Sequence, residues 1–187
     1  MIPIFEPYFI GNEKKYLMDC IDTSWISSQG EYITKFEEAL ADYHSVKFAI
    51  VTSNCTTALH LSLKSLGVGK GDEVICPDLT FIAPANMIAL SGAKLVLVDI
   101  NEKTLTIDPV LLEKKITKKT KAIIVVHQFG HPGHMDEIIS LAKKYKLKII
   151  EDNAESIGAY YKGRLLGTFG DIATYSFFGN KILTTGE

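Results

Sequence analysis

Residues 122–155 read AIIVVHQFGHPGHMDEIISLAKKYKLKIIEDNAE, and the order of patterns within them sets the fold class. An apolar run from Ala122 to His127 is followed by a helical pattern from Asp136 to Tyr145 and a second apolar run from Lys148 to Glu151. Two β-rich runs joined by an amphipathic helix make a β-α-β unit, whose crossover brings the second strand back parallel to the first. Working outward, further strands are expected at Phe48 to Thr52, Glu73 to Cys76, Lys94 to Val98 and Ala173 to Phe177. Helical patterns fall between them at Thr56 to Ser65, Ala85 to Ser91 and Pro109 to Lys115. The near-continuous Val, Ile and Leu of the strands imply burial on both faces. The fold expected is α/β, with a doubly wound, mostly parallel sheet. Glu13 to Thr23 and Thr34 to Tyr43 read as two helices outside that sheet.

Composition narrows the function. The 187 residues carry 20 Lys+Arg against 22 Asp+Glu, a net charge of -2, with Arg164 the single arginine. A duplex-binding protein needs a basic footprint to displace counterions, so nucleic acid is not an expected partner. Lysines 114, 115, 118, 119 and 121, and 143, 144, 146 and 148, fall at helix ends and turns, where they complement the helix dipole on a solvated face. Three scattered cysteines, Cys20, Cys55 and Cys76, suit reduced thiols rather than a disulfide framework. The start, MIPIFEPYFIGNEKKYL, lacks a basic stretch followed by an apolar one, and no segment approaches the ~20 apolar residues of a membrane span. A cytoplasmic protein without membrane partners is expected. No repeat or linker composition divides residues 1–187.

In an open parallel sheet, ligands bind beyond the carboxyl ends of the strands, so the polar residues there carry the chemistry. Ser53, Asn54, Cys55, Thr56 and Thr57 open a helix whose free N–H groups suit phosphate, although a plain N-cap explains the same residues. Phe81, in the loop after Glu73 to Cys76, reads either as core or as a ring to stack on a planar cofactor. Glu151, Asp152 and Glu155 bring carboxylates to the sheet edge, where a buried acid needs a cationic or hydrogen-bonding partner. Asp152 would be served by a protonated heterocyclic nitrogen. Lys181, in the loop after the last strand, reads as a surface lysine or as an amine held ready for an aldehyde. Together these are the four handles of pyridoxal phosphate: phosphate cradle, stacking ring, carboxylate for the ring nitrogen and amine for the aldehyde.

The segments WISSQGEYITKFE (25–37), SNCTTALHLSL (53–63), GVGKGDEVICPDLTFIAPAN (67–86), VVHQFGHPGHMDEI (125–138), EDNAESIGAYYKG (151–163) and GTFGDIATYSFFGNKILTTGE (167–187) closely resemble the DegT/DnrJ/EryC1/StrS sugar aminotransferases, particularly the perosamine-forming branch. The resemblance implies the large domain of an aspartate aminotransferase-like, PLP-dependent transferase. Lys181 would attach the cofactor and shuttle a proton, Asp152 would salt-bridge the pyridinium nitrogen, and Glu155 would sit by the ring's 3-hydroxyl. Ser176 with the Cys55-Thr56 turn would hold the phosphate, and Phe81 would stack on the ring. The implied reaction moves the amine of L-glutamate to a nucleotide-linked 4-keto-6-deoxy sugar, in a homodimer with a composite active site. Three departures accompany the resemblance. Cys55 stands where many members have Gly, Asn153 where Ala is common, and the chain stops at Glu187 where the family continues into a small C-terminal domain. A truncated, non-catalytic large domain is therefore one alternative. A PLP-dependent sugar dehydratase is another, against which Lys181 speaks, because that branch has histidine there.

Other motifs are set aside. Gly67, Gly69 and Gly71 follow a helix and precede a strand, the reverse of a dinucleotide fingerprint. His127, His131 and His134 have metal-like spacing but no accompanying acid or thiol, so no metal is expected. His127 reads instead as near the substrate or cofactor edge. Trp25 reads either as lining a sugar-nucleotide entrance or as an ordinary packed tryptophan.

Overall fold

The computed structural model describes residues 2 and 6–186. Met1, residues 3–5 and Glu187, on which the readings of the amino terminus and of the final residue partly rest, lie outside the described residues. The chain divides into two compact units, Met1–Val51 and Thr52–Glu187, although no change of composition marks the division.

The first unit holds α1 (Glu13–Asp22) and α2 (Glu31–His44). Tyr32 ties them together: its hydroxyl donates to Asp19 at 2.9 Å and its ring lies 5.0 Å from that of Tyr16. The helix α2 ends where Ser45 turns left-handed at φ 53°. Trp25 is 57 % exposed and donates its indole N–H to the Gln29 carbonyl, so it is not a packed core residue.

The second unit is built on five parallel strands: β1 (Glu73–Pro77), β2 (Lys94–Val98), β3 (Thr120–Val126), β4 (Lys148–Asp152) and, after the short β5 (Tyr160–Tyr161) and β6 (Arg164–Leu165), β7 (Ile172–Thr174). Their order is β2-β1-β3-β4-β7, and every pairing is parallel. The helices are α3 (Cys55–Ser65), α4 (Ala83–Leu90), α5 (Pro109–Lys115) and α6 (Met135–Tyr145). Side chains of a strand alternate between faces. Accordingly Ala122, Ile124, Val126 and Ile150 pack with Leu59, Leu63 and Ile88 of α3 and α4. Ile123, Val125 and Ile149 pack with Leu112, Met135 and Ile138 of α5 and α6. Helices cover both faces, which is the doubly wound arrangement expected, and β1 and β3 are buried almost throughout. Lys114 and Lys115, and Lys143 and Lys144, occupy the last turns of α5 and α6. Gly67 and Gly71 take positive φ of 69° and 96° in the turn before β1.

The strand expected at Phe48 to Thr52 does not form. A strand exists only through a ladder partner, and the N–H of Val51 instead donates to the Glu37 carboxylate at 2.8 Å. The last strand is also shorter than expected, covering Ile172–Thr174, because only Ile150, Glu151 and Asp152 of β4 remain to pair with it. The hairpin of β5 and β6 was not expected from the sequence; it turns through Lys162 and Gly163, both at positive φ.

Candidate functional site

The site is assembled at the carboxyl ends of β1, β4 and β7 and at the start of α3. Asn54 caps α3, its side chain accepting the Thr57 N–H at 3.0 Å while the Thr57 side chain reaches back to the Asn54 N–H at 3.3 Å. The N-cap explanation is therefore correct for Asn54. It leaves the N–H groups of Cys55 and Thr56 without a protein acceptor among the described residues, and these first-turn donors are suited to an anion.

Asp152 is 5 % exposed on the α3 face of the sheet. Its Oδ1 accepts the Ala154 N–H at 3.0 Å and faces the Cys55 thiol at 4.0 Å. Burial pushes its carboxyl up from 3.8 to about 6, against the lowering effect of the Ala154 N–H, of His127 and of Lys181. Burial and the Asp152 charge in turn push the Cys55 thiol up to about 12, so the sulfur keeps its proton and acts as a donor. The Cys55 side chain is thus directed at Asp152.

Lys181 stands in a loop closed by the Phe178–Gly186 bridge and by the Thr184 hydroxyl, which donates to the Phe177 carbonyl at 2.9 Å. Its Nζ lies 3.5 Å from Glu155 Oε1, and the other oxygen of Glu155 accepts the Phe129 N–H at 2.9 Å. Cys55, Asp152, Glu155 and Lys181 are thereby brought together. Ser176 follows β7 by two residues, its hydroxyl 3.5 Å from the Phe178 N–H. Thr56 and Ser176 make no hydrogen bond to the other site residues among the described residues. Phe81 is 73 % exposed, which removes the core explanation for it. Just before it, Thr80 has a buried hydroxyl oxygen with no hydrogen-bond partner among the described residues, a polar atom that no sequence pattern announces.

Glu151 and Asp152 are adjacent but point to opposite faces. Glu151 is fully buried and accepts four hydrogen bonds, from Phe169 N at 2.7 Å, Gly170 N at 2.6 Å, Gly167 N at 2.9 Å and His127 Nε2 at 3.1 Å. Burial pushes its carboxyl up, but His127 and the Gly170 and Gly167 amides outweigh this and hold it below the ordinary glutamate range. Burying an ion costs several kcal/mol, and hydrogen bonds to a charged acceptor at about 1.5–3 kcal/mol each are of the size needed to offset it. His127 is fully buried with Glu151, so it does not line the cofactor edge as expected. The backbone of Gly133 donates to its Nδ1 at 3.1 Å, which places the ring proton on Nε2, facing the carboxylate. Asn153, one of the three departures, is also buried and satisfied: its Nδ2 donates to the Glu151 carbonyl at 3.2 Å and its Oδ1 accepts the Ser156 hydroxyl at 2.9 Å.

The donor set fits pyridoxal phosphate. Open N–H groups are available for an anion, a buried carboxylate has no cation in hydrogen-bond contact among the described residues, an amine is held nearby and an aromatic ring is exposed.

Comparison with known proteins gives a consistent picture. A profile of the DegT/DnrJ/EryC1/StrS aminotransferase family matches residues 8–187. The GDP-perosamine synthase of Escherichia coli O157:H7 is 51 % identical over 186 residues, covering 100 % of this chain and 51 % of that protein. The crystal structure of an aminotransferase from Psychrobacter cryohalolentis is 38 % identical with a TM-score of 0.93, over 97 % of this chain and 47 % of that one. A GDP-4-keto-6-deoxy-D-mannose-3-dehydratase of E. coli, solved with bound hydrated PLP, is 30 % identical with a TM-score of 0.93, over 99 % of this chain and 49 % of that one. The chain spans about half the length of the relatives it matches.

Proposed function

Since the chain belongs to the DegT/DnrJ/EryC1/StrS aminotransferase family, we propose that residues 1–187 act as the PLP-binding large domain of an enzyme that transfers the amine of L-glutamate to a nucleotide-linked 4-keto-6-deoxy sugar of the perosamine type. The observation that carries this reading is that a buried Asp152, whose carboxyl burial pushes up, and the amine of Lys181, 3.5 Å from Glu155, stand at one sheet edge. Pyridoxal phosphate, when bound, supplies an aldehyde for amine exchange and a ring that stores the electron pair released from carbon.

The chain's own residues divide the work. Lys181 Nζ would anchor the cofactor and, once displaced by the incoming amine, hold the proton that moves during exchange. Asp152 would keep the ring nitrogen protonated, since a cation beside it relieves the penalty that burial imposes. Glu155, within 3.5 Å of Lys181 Nζ, would orient the amine and lie near the ring's 3-hydroxyl. The Cys55 and Thr56 N–H groups, with Ser176, would hold the phosphate, and Phe81 would cover one ring face. The dehydratase alternative is not favoured, because that reading places histidine where this chain has Lys181.

The same reading includes a homodimer whose second copy completes the site. Phe81, Ile82, Phe129, Phe178, Ile182 and Leu183, in segments around the site, are each half or more exposed, and such apolar surface favours a partner. The same reading sets the enzyme in the cytoplasm; the three cysteines are free, and no helix among the described residues is long and apolar enough to cross a membrane. The test is reductive labelling: PLP followed by borohydride should fix one pyridoxyl group on Lys181. Equal labelling of Lys181→Ala would sink the assignment.

A further inference from the structure

We infer that Glu151 is a positioning residue, whose buried carboxylate fastens from the far face of the sheet the two loops that set Lys181 against Glu155 and Asp152. The inference rests on the proposed role of Lys181 as the cofactor's anchor.

One oxygen of Glu151 gathers the Phe169 and Gly170 N–H groups, and the other takes Gly167 and His127. The loop so gathered is shaped for this. Gly167 is at φ +85°, where a Cβ would collide with the Tyr175 hydroxyl, and a Cβ on Gly170 would lie 2.8 Å from the Ile149 carbonyl oxygen. From Gly170 the chain passes through Asp171, whose N–H donates to the Ile149 carbonyl at 2.9 Å, into β7 and on to Ser176 and Lys181.

The second route runs through His127. Its Nδ1 accepts the Gly133 N–H and so fixes the turn over residues 128–133. In that turn Phe129, left-handed at φ 53°, offers its N–H to Glu155, and Glu155 pairs with Lys181. Both routes therefore end on the same amine. One follows the chain from Gly170, and the other follows bonds from His127 through Phe129 and Glu155. Glu151 itself touches neither Lys181 nor the face of the sheet on which Asp152 lies.

The proton arrangement admits no neutral substitute. A glutamine at this position offers one acceptor oxygen, so its amide nitrogen must face either the Phe169 and Gly170 donors or the Gly167 and His127 donors. His127 cannot change tautomer to relieve this, because its Nδ1 already accepts from Gly133.

The experiment compares the chain, Glu151→Gln and His127→Gln after loading with PLP, following the visible absorbance of the bound cofactor against pH and, separately, the melting midpoint. Asp152, Glu155 and Cys55 are titratable groups around Lys181 that stay in place in all three proteins, whereas His127, which also acts on the Asp152 carboxyl, is absent from His127→Gln. In Glu151→Gln the midpoint of the absorbance titration should move by about half a pH unit or more, roughly threefold in the proton equilibrium. His127→Gln, which replaces the ring's fixed Nε2 donor and Nδ1 acceptor by one flexible amide, should move it less and in the same direction. Lowered melting with a midpoint equal to that of the unaltered chain would mean a purely structural carboxylate and would overturn the inference. Should Glu151→Gln fail to fold, the His127→Gln midpoint decides alone: moved supports the inference, unmoved rejects it. If borohydride fixes no label on Lys181 of the unaltered chain, the parent reading fails and this one with it. If the label is present and neither midpoint moves, only this one fails.

Discussion

Replacing Asp152 by Asn should stabilise the ligand-free chain at pH 8, by a margin that disappears at pH 4. An acid whose folded-state pKa lies above its unfolded value holds its proton more tightly in the folded state. For Asp152 the two values are about 6 and 3.8. Below pH 3.8 both states are protonated and the side chain carries no penalty. Between 3.8 and about 6 the unfolded chain ionises first, and folding loses roughly 1.4 kcal/mol per pH unit. Above about 6 the penalty is constant at about 3 kcal/mol. Asparagine removes the charge but keeps an Oδ1 for the Ala154 N–H, now accepted at 3.0 Å, so the local turn survives. Urea denaturation of both proteins at pH 4, 6 and 8 measures the difference, and comparing the two at each pH cancels the other titrating groups. Asparagine should be the more stable by about 1–3 kcal/mol at pH 8 and about equal at pH 4. A difference that does not change with pH, or a less stable Asn variant at pH 8, would refute the account of Asp152 as a buried acid awaiting a cation. Saturating PLP should reverse the order, because only the carboxylate gains from a protonated ring nitrogen.

Two further outcomes are expected. Phe81→Ala should leave thermal stability nearly unchanged, since the ring is 73 % exposed. It should weaken PLP binding roughly three- to tenfold, as the loss of one aromatic stacking contact implies; equal affinity by fluorescence titration would remove Phe81 from the site. Gly170→Ala should destabilise the chain by about 1–3 kcal/mol, because its Cβ would meet the Ile149 carbonyl oxygen at 2.8 Å and backbone must shift. Denaturation curves that overlay the unaltered chain would show that the loop has room the geometry denies.

Much of the architecture is legible in residues 122–155, because apolar runs and a helical period of the right lengths admit few arrangements. Asp152 and Lys181 are legible for a related reason: Asp152 ends a strand and Lys181 lies in the loop after one, and strand ends are where an open sheet binds ligands. Phe48 to Thr52 misleads because its apolar content is that of a strand, while strand formation depends on a ladder partner. Glu151 and His127 mislead differently. Alternation along β4 says that Glu151 and Asp152 face opposite ways, but which of them meets α3 depends on how the strand lies in the sheet. The donors that satisfy Glu151 are backbone amides at residues 167, 169 and 170, and no side-chain pattern announces those. The β5-β6 turn did carry a signal, Lys162-Gly163 between Tyr160-Tyr161 and Arg164-Leu165, of the short hairpin kind.

The pleat of β4 also bears on which changes of length this chain can absorb. Inserting or deleting one residue between Lys148 and Ile150 would turn the strand's end over. The longer acid would then meet the Cys55 thiol, and the shorter one would fall short of the amides at 167 to 170. Two adjacent letters that look interchangeable are bound to their separate tasks by reading frame alone. Drift in length within the strand would abolish both tasks at once.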